Sequence, residues 1–143
     1  MALEITSIHR VAMECSREIP LFLQMISAGF PSPADDYIDK CLDLNEYLIK
    51  HPSATFFVRV EGDSMINAGI HHGDILIVDR SLEAAHKSII VAVINGELTV
   101  KRMHTINDTL YLLPENDNFE TITVREEMDF QVWGVVTHVI HSI

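Results

Sequence analysis

Ser64 stands in the run Glu61-Gly62-Asp63-Ser64-Met65, directly after the apolar stretch 55–60, and Lys101 lies inside a second apolar stretch, 97–103. Neither residue is distinctive alone. A serine in a Gly-Asp-Ser turn ordinarily caps backbone groups, and a strand lysine is ordinarily a solvated edge charge. Together they offer the chemistry of acyl transfer: a serine nucleophile at a strand-to-turn junction, with a lysine as its base. A third feature supplies a substrate. Ala28-Gly29 is a small-small dipeptide ahead of Phe30-Pro31-Ser32-Pro33, in a segment with little sign of regular structure. A hydrolytic dyad and a scissile bond in one chain point to self-cleavage.

The chemistry needs a neutral lysine. At its ordinary pKa of about 10.4 only roughly one lysine in a few thousand is neutral at pH 7, but desolvation lowers that value by up to several units. Alternation along 97–103 puts Leu98, Val100 and Arg102 on one face and Thr99, Lys101 and Met103 on the other. One of the two adjacent cations must then leave open solvent, unless the strand is an edge. Arg102 cannot be deprotonated in practice, so Lys101 is the base. Lys101 takes the Ser64 proton, the serine oxygen attacks the Ala28 carbonyl, and the lysine returns the proton to the Gly29 nitrogen. Backbone N–H groups at Ser64 and Met65 are the natural oxyanion donors. The small Ala28 side chain allows close approach, and Ile26 and Phe30 anchor the strand on either side of the cut.

Several elements must position these groups. From residue 55 onward the sequence is β-like: 55–60, 74–79, 88–94, 97–103, 109–113 and 129–140 are rich in Val, Ile, Phe and Thr. Turn signals separate them, among them Ala68-Gly69, His72-Gly73-Asp74, Asn95-Gly96 and Asn116-Asp117-Asn118. Asn95-Gly96 predicts a type I′ hairpin that fixes the register of Lys101. Tyr37, Cys41, Leu44 and Leu48 form the stripe of an amphipathic helix over 36–50, ended by His51-Pro52. Pro20, Gly29, Pro31 and Pro33 deny a long helix before it. The expected organisation is a cleavable, extended N-terminal arm over 1–38 and a β-rich catalytic and dimerisation domain over 39–143. The expected fold is mainly β, a curled antiparallel sheet or partial barrel with one or two short helices.

A chain of 143 residues, 48% hydrophobic, suffices for one packed core. Its formal charge of −11, from 21 acidic and 10 basic residues, argues against direct binding of nucleic acid, which relies on Lys and Arg. Cys15 and Cys41 lack CxxC spacing and read as idle thiols of a reducing compartment. No signal peptide or membrane span is visible, so a cytoplasmic protein is expected. His71-His72 fall in a turn and His138 and His141 in a strand-like tail, with no Cys or carboxylate cluster to complete a tetrahedral set; no metal and no cofactor are expected.

Gly29-Phe30-Pro31-Ser32-Pro33-Ala34, His51-Pro52-Ser53-Ala54-Thr55, Gly62-Asp63-Ser64-Met65, Gly73-Asp74, Thr99-Val100-Lys101 and Trp133-Gly134-Val135-Val136-Thr137-His138 closely resemble the UmuD family, with its plasmid-borne MucA and RumA branch. That family stands with LexA among the self-cleaving proteins of the bacterial SOS response. The resemblance covers roughly residues 20–140; residues 1–19 show little match. It implies that Ser64 is the nucleophile, Lys101 the base and Ala28-Gly29 the cleaved bond. It further implies stimulation by a RecA–single-stranded DNA filament. The cleaved homodimer would join a UmuC-like, Y-family catalytic subunit in an error-prone translesion polymerase, with the sliding clamp as a further partner. LexA-like repression is not expected, since the 28 residues ahead of Gly29 are too few for a helix-turn-helix domain. The competing expectation is a non-enzymatic polymerase-interaction subunit whose dyad is secondary.

Overall fold

The β-rich runs of the second half of the chain become one curled antiparallel sheet. The structure, a computed structural model, describes residues 2–11, 18–22 and 38–143. They divide into two units, one of residues 1–11 and 51–143 and the other of residues 12–50.

The larger unit is the sheet. Its strands are β1 (Glu4–Arg10), β4 (Thr55–Glu61), β5 (Ile75–Asp79), β6 (Ile89–Ile94), β7 (Glu97–Ile106), β8 (Thr109–Leu113), β9 (Ile122–Thr123) and β10 (Phe130–Ile140). The smaller unit holds β2 (Glu18–Phe22), β3 (Ile38–Asp43) and a helix, α1 (Leu44–Leu48). The sheet order is β1-β4-β5-β10-β6-β7-β8-β9, with every neighbouring pair antiparallel. The expected mainly-β fold, a half-barrel with little helix, is what forms.

β10 causes much of the curl. Its first half pairs with β6 and its second with β5, and the register slips at Val132/Gly134 and again at Val136/His138. Such bulges bend a strand and add twist. At Gly134 a β-carbon would lie 2.6 Å from the Val78 Cγ1, so the crossing there requires glycine. Curling buries both faces of the central strands. Val58, Val60, Met65, Ile70, Leu76, Val78, Val91 and Val100 form one core cluster, and Ile90, Ala92, Met103, Leu112 and Val135 form another.

The hairpin at Asn95-Gly96 forms as the sequence predicts. Both residues have positive φ, 49° and 84°, and Ile94 faces Glu97. A second hairpin, at Asn107-Asp108, has the same positive φ at both centres without a glycine.

The helix expected over 36–50 is reduced to Leu44–Leu48, because Ile38–Asp43 instead pairs with Glu18–Phe22. The segment 38–43 alternates well enough for a strand, and pairing satisfies its backbone where a short isolated helix is marginal. Asp43 then sets the start of α1, its carboxylate accepting the Asn45 N–H at 2.9 Å. Pro20 is tolerated in β2 because a two-stranded ribbon has only edge strands.

Candidate active site around Ser64 and Lys101

The Ser64 loop begins where β4 ends, and every part of it is tied down. Gly62 turns the chain at φ 100°, and its N–H donates to His72 Nδ1 at 3.3 Å. The Ser64 carbonyl accepts from the Glu115 N–H at 2.9 Å, while the Glu115 carbonyl accepts from Asn67 at 2.8 Å. Asn116 Nδ2 donates to the Asp63 carbonyl at 2.9 Å. The Met65 side chain is fully buried, and its carbonyl accepts from Ala68 and Ile70. Ser64 is itself inaccessible to solvent. Among the described residues, the N–H groups of Ser64 and Met65 donate to no acceptor, as oxyanion donors would require.

β7 supplies the lysine. The Asn95-Gly96 hairpin sets Lys101 opposite Ile90 in the middle of the sheet, 7% exposed. Burial pushes its amine below the ordinary lysine value. No carboxylate among the described residues lies in ion-pair range to offset that. Adjacent Arg102 faces the other way and remains partly exposed. Its guanidinium pairs with the Glu115 carboxylate and donates to the Lys87 carbonyl at 2.7 Å. The strand thus buries the cation that can lose its proton and pairs the one that cannot.

One stretch of chain, residues 2–5, touches the surroundings of both. Ala2, Leu3, Glu4 and Ile5 line a cleft of about 910 Å³ with Leu98, Thr99 and Lys101. The Leu3 N–H donates to Ser64 Oγ at 2.9 Å. Leu3 is 3% exposed and packs into the core cluster of Val58, Val60 and Met65. A β-carbon on Gly62 would fall 1.9 Å from the Ala2 carbonyl oxygen, so this approach depends on glycine.

The sequence reading singled out Ser64 and Lys101 but not residues 2–5. The apolar alternation of Leu3 and Ile5 was the available signal. Ala28 and Gly29 lie outside the described residues. The sequence also did not bring together His71, Asp74 and His141, whose donor atoms lie within 4.8 Å of one another.

Residues 20–137 match the model of the Peptidase S24-like family. The chain is 50% identical over 121 residues to protein MucA of Escherichia coli, covering 84% of this chain and 82% of that protein. It is 48% identical over 122 residues to protein ImpA of Shigella flexneri, covering 85% and 83%. Protein SamA of Salmonella typhimurium is 46% identical over 123 residues, covering 86% and 85%. With the family matched over most of its length and such relatives beside it, this chain belongs to the Peptidase S24-like family as a UmuD-like member.

Proposed function

We propose that the protein cuts its own chain between Ala28 and Gly29, with Ser64 as nucleophile and Lys101 as base. One observation supports the reading: the stretch 2–5, which lines a cleft together with buried Lys101, also brings a peptide N–H to Ser64 Oγ. Neutral Lys101 Nζ removes the hydroxyl proton as Oγ bonds to the Ala28 carbonyl carbon. The N–H groups of Ser64 and Met65 receive the developing oxyanion. Lysine then gives the proton to the Gly29 nitrogen as the C–N bond breaks, and water later hydrolyses the Ser64 ester.

In this proposal a RecA–single-stranded DNA filament speeds the reaction by holding residues 1–38, the arm, in the cutting geometry. Loss of residues 1–28 uncovers surface on the homodimeric remainder, residues 29–143. That remainder then joins a Y-family polymerase subunit of UmuC type, with the sliding clamp as a further partner, in damage-induced translesion synthesis. The family match and the MucA, ImpA and SamA relatives support this role.

The test is mass spectrometry of purified protein incubated with and without the filament. The expected product begins at Gly29 and is absent from Ser64→Ala. A fragment starting elsewhere, or cutting by Ser64→Ala, refutes the assignment.

A further inference from the structure

The cluster of His71, Asp74 and His141 follows from the ladder, not from proximity in sequence. β10 runs antiparallel to β5 with Ile140 opposite Ile75, so the next residue, His141, comes beside Asp74. Asp74 is held in place by its own backbone. Its carbonyl accepts the Val60 N–H at 3.1 Å, its N–H donates to the His71 carbonyl at 3.1 Å, and its Oδ2 accepts the His71 N–H at 2.7 Å. The carboxylate is 3% exposed.

Two imidazoles converge on that carboxylate. His141 Nδ1 lies 2.6 Å from Asp74 Oδ1, and His71 Nδ1 lies 3.8 Å from Asp74 Oδ2. The rings are 4.5 Å apart, tilted by 33°. His71 Nδ1 is buried and has no hydrogen-bond partner among the described residues. A buried polar atom without a partner is unusual in a folded protein. His141 Nδ1 has Asp74 as its partner, whereas His71 Nδ1 has none among the described residues.

We propose that His71 Nδ1, Asp74 and His141 Nδ1 bind a divalent transition-metal ion of the zinc type. Two imidazoles and one carboxylate are the donor set of three-ligand zinc sites. Metal–donor bonds of about 2.0–2.2 Å in a tetrahedron place donors about 3.3 Å apart. The distances to the carboxylate, 2.6 Å to Oδ1 and 3.8 Å to Oδ2, fall on either side of that spacing, and all three donors lie within 4.8 Å of one another, so side-chain rotation would draw them onto one ion. Both histidines are about two-fifths exposed, which gives the ion an entry path and leaves a fourth position for water. Bound there, the ion ties the end of β10 to the turn before β5. That turn also carries His72, which holds Gly62 at the foot of the Ser64 loop. The proposal does not depend on the peptidase reading.

The test is calorimetric titration of zinc chloride into the chelator-treated full chain at neutral pH, with thermal melts in zinc and in chelator. Expected are one ion per chain, a higher melting temperature in zinc, and affinity reduced at least ~10-fold in His71→Gln and in His141→Gln. Both variants should melt as the wild type does in chelator, which separates ligand loss from misfolding. Cobalt(II) should give the visible absorption of a four-coordinate ion, and both variants should lose it. His86 and His104, whose rings are 5.0 Å apart on another part of the surface, form the internal control. Zinc affinity unchanged in both cluster variants, or lost in His86→Gln instead, overturns the proposal.

Discussion

If residues 2–5 hold the place beside Ser64 that the Ala28–Gly29 bond would take, loosening them should accelerate self-cleavage. Leu3→Ala is the cleanest perturbation. Leu3 is almost wholly buried, and truncating it removes apolar contact worth about 2 kcal/mol from the docked state. The bond from the Leu3 N–H to Ser64 Oγ uses the backbone and survives the change. Because each 1.4 kcal/mol is tenfold in an equilibrium, about 2 kcal/mol raises the undocked fraction of the segment roughly 30-fold. Cutting without the filament should rise by the same factor, provided the segment is docked beside Ser64 in nearly every wild-type molecule. Gly62→Ala would also evict the segment, but it strains a residue at φ 100° in the nucleophile loop itself, so its outcome is harder to assign.

The assay is the rate of appearance of the fragment beginning at Gly29, measured for both proteins without filament, with circular dichroism confirming the fold. A wild-type or slower rate in folded Leu3→Ala would show that the segment does not compete. Absence of cutting in both proteins, with filament as well as without, would count against the peptidase reading instead.

Two further predictions concern the lysine and its setting. Lys101→Arg and Lys101→Met should lose at least ~10³-fold in cleavage rate, and the wild-type rate should climb about tenfold per pH unit until it levels at the lysine pKa. A flat rate between neutral and alkaline pH would identify another base. The same burial sets a stability profile. The folded pKa lies below the unfolded value near 10.5, so the unfolded chain binds the extra proton between them and stability rises with pH across that window. Lys101→Met should therefore be more stable than wild type at neutral pH, the gap narrowing as pH approaches 10.5, as urea melts at several pH values would show. Asn116→Ala removes the donor to the Asp63 carbonyl and should cost about 1 kcal/mol in stability. It should slow cleavage several-fold without moving the pH profile, as expected of a residue that only positions the loop.

The sequence was legible where a local rule decides the structure. Asn95-Gly96 can scarcely avoid a tight hairpin, and that turn makes the register of Lys101 readable. The Glu61-Gly62-Asp63-Ser64 junction is likewise local. Legibility failed where partners are distant. The spacings of Tyr37, Cys41, Leu44 and Leu48 suit a helix, but Ile38–Asp43 pairs with a strand some 20 residues earlier, which no periodicity within 36–50 reveals. Asp74 and His141 are joined only by the β5–β10 register, and that register depends on two bulges whose positions the sequence does not announce. Asn107-Asp108 escaped notice because its positive φ values come without glycine.

The placement of β1 bears directly on how cutting would be controlled. It adds to the edge of the sheet antiparallel to β4, the strand that leads into the Ser64 loop, and the residue just before it, Leu3, has its backbone against the serine. Strand addition of this kind binds through main-chain hydrogen bonds and is therefore tolerant of sequence. A position beside Ser64 that accepts Ala2-Leu3-Glu4 would, on the proposed reading, accept another extended segment with a small residue opposite the serine, as Ala28-Gly29 would supply. The choice between the two segments is then a difference of affinities within one chain, and an external factor need supply only that difference. Burying Leu3 favours the uncut arrangement. A filament that stabilises the arm by a few kcal/mol would reverse the balance without altering Ser64 or Lys101.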